Sequence, residues 1–253
     1  MRYVLGEYAA AHFGDIPDRK QREHAAETDL VHLFFGRRND GLFIEVGANE
    51  PCRHSQTWSL EQAGWHGLLI EPSPSLCEQL RNQRRRSRVL EVACGAPGAP
   101  PRARFHLAEN PLHSSLATGR TDFAPKIDRS IEVDVKTLDQ IIKETDTHDI
   151  DFISIDVEGL QYEVLQGLTL TTHRPRLLLV EDHLTGYRTH RWISRQGYRL
   201  VKRTGLNSWY VPADASFVLT DRSERSALWR KVWLRTPVRG LRAALRTRAG
   251  CVH

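Results

Sequence analysis

Four apolar runs in this chain end in groups that could hold or act on a polar ligand. They end at Glu45-Val46-Gly47-Ala48-Asn49, at Glu71, at Asp156, and at Glu181-Asp182-His183. One glycine followed by two small residues lets a backbone approach a ligand closely. The first turn carries neither G-x-G-x-x-G nor G-x-x-x-x-G-K-[ST], so neither a dinucleotide pyrophosphate nor a nucleoside triphosphate finds its usual cradle. Glu71 follows Gly47 by 24 residues. An acid at the end of a second strand can accept both hydroxyls of an adenosine ribose. Adenosine without phosphates, beside small-residue backbone, points to S-adenosylmethionine. Plainer roles stay open: Glu45 as a structural strand residue, and Glu71 as a cap for the helix near Ser75.

These groups need a scaffold that brings strand ends together. Residues 1–40 read as a polar helical segment. Residues 42–47, Gly67–Glu71, Arg88–Ala93, Asp151–Asp156 and Arg176–Glu181 read as buried strands. Between them, helical patterns run over Ser55–Gly64, Ser75–Gln83, Thr137–Lys143 and, after the strand ending at Asp156, through Leu165. The Pro- and Gly-rich stretch 95–130 reads as loops with a short strand at 103–107, and 131–135 alternates as a strand. Tyr198–Val201 and Ser208–Val211 pair as a final antiparallel hairpin. Strand and helix in alternation predict an α/β fold: a mostly parallel sheet with helices on both faces. Ligands of such sheets sit beyond the carboxyl ends of the strands. The expected division is a helical segment 1–40, a domain 41–213 and a tail 222–253.

The blocks G-L-F-I-E-V-G-A-N-E-P, S-Q-T-W-S-L-E-Q-A-G-W-H-G-L-L-I-E-P-S-P, V-K-T-L-D, D-F-I-S-I-D-V-E-G-L-Q-Y-E-V-L-Q-G and R-P-R-L-L-L-V-E occur in this order. Together they resemble the FkbM-type methyltransferases over about residues 28–203. The resemblance implies a class I methyltransferase (Rossmann-like) fold and methyl transfer from S-adenosylmethionine to a hydroxyl oxygen, often on a sugar or polyketide. It places Glu45, Gly47, Asn49 and Glu71 in the cofactor motifs, with Ser55 and Thr57 in the adjoining loop. Asp156, Glu158 and Glu181 fall in the motifs facing the acceptor. Many members carry Asp where this chain has Glu45, and Gly near its Pro51.

Transfer of a methyl group to oxygen requires an aligned acceptor and a means of removing its proton. Asp156, Glu158, Glu181, Asp182 and His183 are the candidates, with Asp156, Glu181 and His183 as the expected catalytic groups. Two arrangements compete. Asp156 with Glu181 and Asp182 could ligate Mg²⁺ or another divalent cation through hard oxygens, or Asp156 or His183 could act as a base without metal. Glu158 could equally cap the following helix, and His183 could be an ordinary loop residue. His113-Ser114-Ser115 lies in a loop that could cover the acceptor. The expected acceptor is a sugar hydroxyl of a glycan, glycolipid or secondary metabolite. Nucleic-acid ribose methylation is the rival enzyme reading. Amino methylation of a base is disfavoured, because no N-P-P-Y or D-P-P-Y motif is present. A non-catalytic membrane-surface module is the rival outside enzymology.

Charge is unevenly placed. The chain has 253 residues, 40% of them hydrophobic, and a formal charge of +5. From Arg222 onward, nine basic residues oppose one acid, a net of +8, so the remainder is slightly acidic. In that tail Leu234, Val238, Leu241 and Leu245 form one helical line, with Arg235, Arg239, Arg242 and Arg246 one residue on. Such a stripe suits an anionic membrane surface; packing on its own domain or on a dimer mate is the alternative, and nucleic acid is the less expected partner. The cluster Arg81, Arg84, Arg85, Arg86 and Arg88 reads as a solvated helix end. No apolar run is long enough to span a membrane, no secretory signal is expected, and four scattered cysteines fit a reducing cytoplasm.

Overall fold

The computed structural model describes residues 19–36, 38–108, 116, 127–182, 186–216, 222–234 and 236–241. A seven-stranded sheet forms its centre. Its strands are β1 (Leu42–Val46), β2 (His66–Ile70), β3 (Ser87–Leu90), β7 (Phe152–Ile155), β8 (Leu177–Glu181), β9 (Tyr198–Thr204) and β10 (Asn207–Pro212), in the order β3-β2-β1-β7-β8-β10-β9. Pairs among β3, β2, β1, β7 and β8 are parallel; β10 runs antiparallel to both β8 and β9. The order reverses direction at β1, which makes the β1–β7 boundary the place where a crevice opens at the strand ends. This is the expected class I methyltransferase architecture.

Strand alternation gives the sheet two apolar faces. Ile44, Val46, Ile153, Ile155, Leu178 and Val180 point to one face, under α4 (Leu138–Glu144), α5 (Gln161–Gln166) and α7 (Arg188–Arg195). Phe43, Leu69, Phe152, Leu177 and Leu179 point to the other, under α1 (Arg19–Phe35), α2 (Trp58–Gln62) and α3 (Pro74–Gln83). Leu30, Val31 and Phe35 of α1 are buried in that second core, so the N-terminal helix is built into the domain. Thr137 caps α4 by a reciprocal exchange with Gln140, the motif T-x-x-Q acting as a capping box.

Three features depart from the sequence reading. The run Arg88–Ala93 is two strands: β3 in the main sheet and β4 (Ala93–Cys94) in a second, three-stranded sheet of order β4-β6-β5. There β5 (Arg102–Ala108) and β6 (Ile127–Lys136) form an antiparallel pair beside the strand ends. The short α6 (Leu170–His173) and the arginine-rich α7 had no place in the reading. The tail has a helix, α8 (Arg222–Trp229), ahead of the line of residues on which one was expected, and it continues as a π-helical turn, Arg230–Leu234. A further helical stretch, 236–241, has Pro237 in its first turn.

Candidate active site

A cleft opens at the carboxyl ends of β1, β2 and β7. Gly47, Ala48, Asn49, Glu71, Asp156 and Glu158 supply its polar side. Ile70, Val92, Cys94, Phe105 and Leu116 supply apolar walls, Cys94 and Phe105 from the second sheet. The backbone explains why Gly47 is glycine. Its φ is +81°, and an added Cβ would lie 1.8 Å from the carbonyl oxygen of Asp156. The Gly47 and Ala48 N–H groups donate to Ile70 O at 2.9 and 3.1 Å, and Asp156 N–H donates to Val46 O at 3.0 Å. These bonds clamp the ends of three adjacent strands into one cleft floor.

Glu71 is buried, with 4% of its surface exposed, yet it lines the cleft. Its Oε1 accepts from the Ser73 N–H at 2.8 Å and its Oε2 from the Asn49 N–H at 3.0 Å. Each oxygen keeps a further lone pair. Burial pushes the carboxyl up to about 7, against the lowering effect of those two N–H donors. Asn49 reaches this position through a left-handed backbone, φ +49°. The Cys94 thiol in the wall is likewise pushed up to about 12 by burial and stays neutral.

Beyond β7 and β8, ligand oxygens of Asp156, Glu158 and Glu181 lie within 4.8 Å of one another. Asp156 is exposed and the other two are half-buried. Burial holds the Glu181 carboxyl above the usual carboxylate range. A hydrogen bond with Asp156 opposes that rise and the Glu158 charge adds to it. Gln161 Nε2 donates to Glu181 Oε2 at 3.3 Å. Three carboxylates this close repel one another when all are ionised, so the group favours taking up a proton. Of the residues expected to ligate a cation, Asp156 and Glu181 fall in this group and Asp182 stands outside it, while Glu158 stands within it. Glu158 reaches it through a left-handed backbone, φ +46°, followed by Gly159 at φ +100°. His183 and the loop residues His113, Ser114 and Ser115 lie outside the described residues.

Glu45, Ser55 and Thr57 are placed elsewhere. In β1, Val46 faces the cleft side, so its neighbour Glu45 points to the opposite face, toward α2 and α3. There its Oε2 accepts from Ser55 Oγ at 2.9 Å and Thr57 Oγ1 at 2.6 Å, and its Oε1 from Gln56 N–H at 2.8 Å. These three residues support the loop behind the cleft and do not line it. Arg84 completes the cluster. Its guanidinium, fully buried, donates to Glu61 Oε2 at 2.8 Å, Pro51 O at 3.1 Å, Ser55 Oγ at 3.0 Å and Thr57 Oγ1 at 2.8 Å. The reading of the arginine cluster as solvated is therefore corrected for Arg84. Replacing Arg84 with Met strands the Glu45 and Glu61 carboxylates without their cation and should destabilise the fold by at least about 3 kcal/mol. Urea unfolding measures this directly; an unchanged midpoint would show that the cluster is not what holds the loop.

Glu27 of α1 also went unrecognised. It is buried, and accepts from Gln56 Nε2 at 2.8 Å, from Asn207 Nδ2 at 2.9 Å and from the Thr204 hydroxyl. It thereby joins the N-terminal helix to the Glu45 loop and the final hairpin. Burial raises its pKa, with the Asp156 charge adding to the rise.

Residues 45–200 match the model of the methyltransferase FkbM domain. No curated protein matches the chain. Among solved structures, the METTL16 MTase domain is 13% identical, with a TM-score of 0.47 over 84% of this chain and 76% of that one. The N-terminal domain of human METTL16 in complex with SAH is 14% identical, with a TM-score of 0.39 over 78% and 71%. The precorrin-6y C5,15-methyltransferase from Geobacter metallireducens is 10% identical, with a TM-score of 0.37 over 78% and 88%. The family match takes in more than half of the chain, from the end of β1 to the start of the hairpin, and with it every polar group of the cleft: this protein belongs to the FkbM family of S-adenosylmethionine-dependent methyltransferases.

Proposed function

We propose that the protein methylates a hydroxyl oxygen, on a sugar of a glycan, glycolipid or secondary metabolite, in the cytoplasm. The observation that carries this is the cluster of Asp156, Glu158 and Glu181, with carboxylate oxygens within 4.8 Å of one another, beside a cleft whose floor holds Glu71.

The residues present fit the cofactor. Gly47 lets the backbone pack directly against the Asp156 carbonyl and so closes the cleft floor, Glu71 offers a further lone pair on each oxygen to a diol, and the apolar walls suit an adenine ring. S-adenosylmethionine supplies, when bound, an already activated methyl group. The protein's part is then alignment, exclusion of water and disposal of a proton. Holding acceptor and methyl in line contributes roughly 7–11 kcal/mol of barrier lowering. An alcohol is a weak nucleophile near neutral pH, and Asp156, the most exposed carboxylate of the cluster, is placed to accept its proton. Glu181 and Glu158 lie beside it, and the crowding of like-charged groups favours proton acceptance. Asp156, Glu158 and Glu181 would also offer hard oxygens to a divalent cation, which would lower the acceptor's pKa.

The test is incubation of the full chain with methyl-labelled cofactor and a cell extract containing glycans, glycolipids and RNA. Label recovered on a monosaccharide after hydrolysis supports the sugar reading; label confined to RNA ribose replaces it. Repeating the reaction after exhaustive EDTA treatment separates the two activation modes. Full retention of turnover assigns activation to Asp156 alone, and loss restored by Mg²⁺ assigns a cation to the cluster.

A further inference from the structure

We propose that the face carrying Trp229, Trp233, Leu234, Val238 and Leu241 docks this protein on an anionic lipid membrane. Seven large apolar side chains are exposed among the described residues, and these are five of them, from 45% exposed for Trp233 to 62% for Leu241. A concentration of exposed apolar groups on one short segment marks a binding surface, whereas scattered ones do not. The segment is nevertheless fixed to the domain. Val232 and Thr236 are buried, and the Tyr187 hydroxyl donates to the carbonyls of Val232 and Trp233 at 3.2 and 3.1 Å. The Tyr187 ring stacks on Trp233 at 5.3 Å, and His190 meets the same indole edge-on at 6.2 Å. A held segment that still turns its tryptophans and leucines outward has an occupant other than its own core.

The chemistry of the surroundings identifies that occupant. Arg225 lies one helical turn before Trp229, and Arg230 directly after it; both are exposed. On α7, exposed Arg191 sits over the Tyr187 ring at 5.4 Å, and exposed Arg195 follows one turn on. Arg188 is accounted for already, stacked on Tyr162 at 3.7 Å and near Glu163. Guanidiniums interspersed with tryptophan and leucine match a bilayer surface, with headgroup phosphates for the arginines and acyl-chain boundary for the apolar groups. No helix among the described residues is long and apolar enough to cross a membrane, so the geometry is that of a surface contact.

The face also adjoins the cleft's acidic end. His190, which meets Trp233 edge-on, feels the charge of Asp182, the residue after Glu181. Resting on the methyl-transfer reading, this proximity would let a docked protein meet acceptors carried by lipids.

Flotation of the full chain with vesicles is the test and requires no turnover, so its failure is distinct from failure of that reading. Vesicles of phosphatidylcholine with phosphatidylglycerol should recover the protein, and phosphatidylcholine alone should not. Trp229→Ala with Leu241→Ala should abolish recovery. Arg195→Glu with Arg230→Glu should weaken it by at least about tenfold and remove its salt sensitivity. Should the apolar pair of substitutions impair folding, the charge pair decides alone. Recovery equal on both vesicle types, or unaltered by the charge pair, overturns the proposal. So does a dimer in sedimentation velocity that the apolar pair dissolves, or binding to RNA without recovery on vesicles.

Discussion

Asp156→Asn should lower turnover by about 10²–10⁴-fold, the worth of a positioned general base, while cofactor affinity stays within a few-fold. The two halves of this expectation come from different atoms of one residue. The backbone of Asp156 belongs to the cleft floor: its N–H is bound to Val46 O, and its carbonyl occupies the space beside Gly47. Asparagine keeps that backbone and nearly the same shape. The side chain belongs to the acidic cluster, where it lies within 4.8 Å of Glu158 and Glu181 and stands nearest to solvent. An amide there can neither receive a proton nor carry the negative charge that the arrangement with Glu181 and Glu158 provides. Steady-state kinetics with calorimetric cofactor titration separates the two effects. Turnover left intact would remove Asp156 from the chemistry and leave alignment alone to account for the rate. A large loss of cofactor affinity would show that the side chain, and not only the backbone, shapes the cleft.

Much of the scaffold was legible because the central strands are buried on both faces and so read as short, nearly continuous apolar runs. Their polar last residues then marked the cleft. The limits were also physical. A run of residues does not say which sheet it joins, so Arg88–Ala93 read as one strand although exposed Glu91 marks the step from β3 to β4. Glu45 read as a cofactor contact because its motif suggested it; the two-residue period of β1 turns it away from the cleft. Arg84 and Glu27 do carry a signal in the sequence. Leu76, Leu80 and Arg84 are spaced four apart, as are Glu27, Val31 and Phe35, which puts each charge in line with a buried apolar stripe. A charge continuing such a stripe is a candidate for a buried partner, and in both cases the partners come from distant segments. Glu45 and Glu61 for Arg84, Asn207 and Thr204 for Glu27, could be paired only by the fold.

Glu71→Ala should cost about 3–6 kcal/mol of cofactor binding, because a carboxylate gripping a diol makes two charge-assisted hydrogen bonds of roughly 1.5–3 kcal/mol each. That corresponds to a loss of at least about a hundredfold in affinity. The position is well prepared: the Ser73 and Asn49 N–H groups fix the carboxylate and leave an acceptor site on each oxygen. The same burial makes the grip pH-dependent. With the folded-state pKa pushed from 4.5 to about 7, the fold carries more protons than the unfolded chain between those values. Stability contributed here is therefore present at low pH and is lost as pH rises through about 7. Binding has the opposite sign, since only the ionised carboxylate can accept both hydroxyls. Affinity for S-adenosylhomocysteine should fall about tenfold from pH 8 to pH 6, as one-proton linkage requires when the pKa is near 7. Glu71→Gln should bind more weakly throughout and show a flat profile over that range. The cofactor should also raise the melting temperature more at pH 8 than at pH 6, because ligand hydroxyls then stabilise a charge that the empty cleft leaves poorly solvated. A wild-type affinity flat from pH 6 to pH 8, with Glu71→Ala binding as well as the parent, would place the adenosyl group away from β2 and undo the assignment of this cleft.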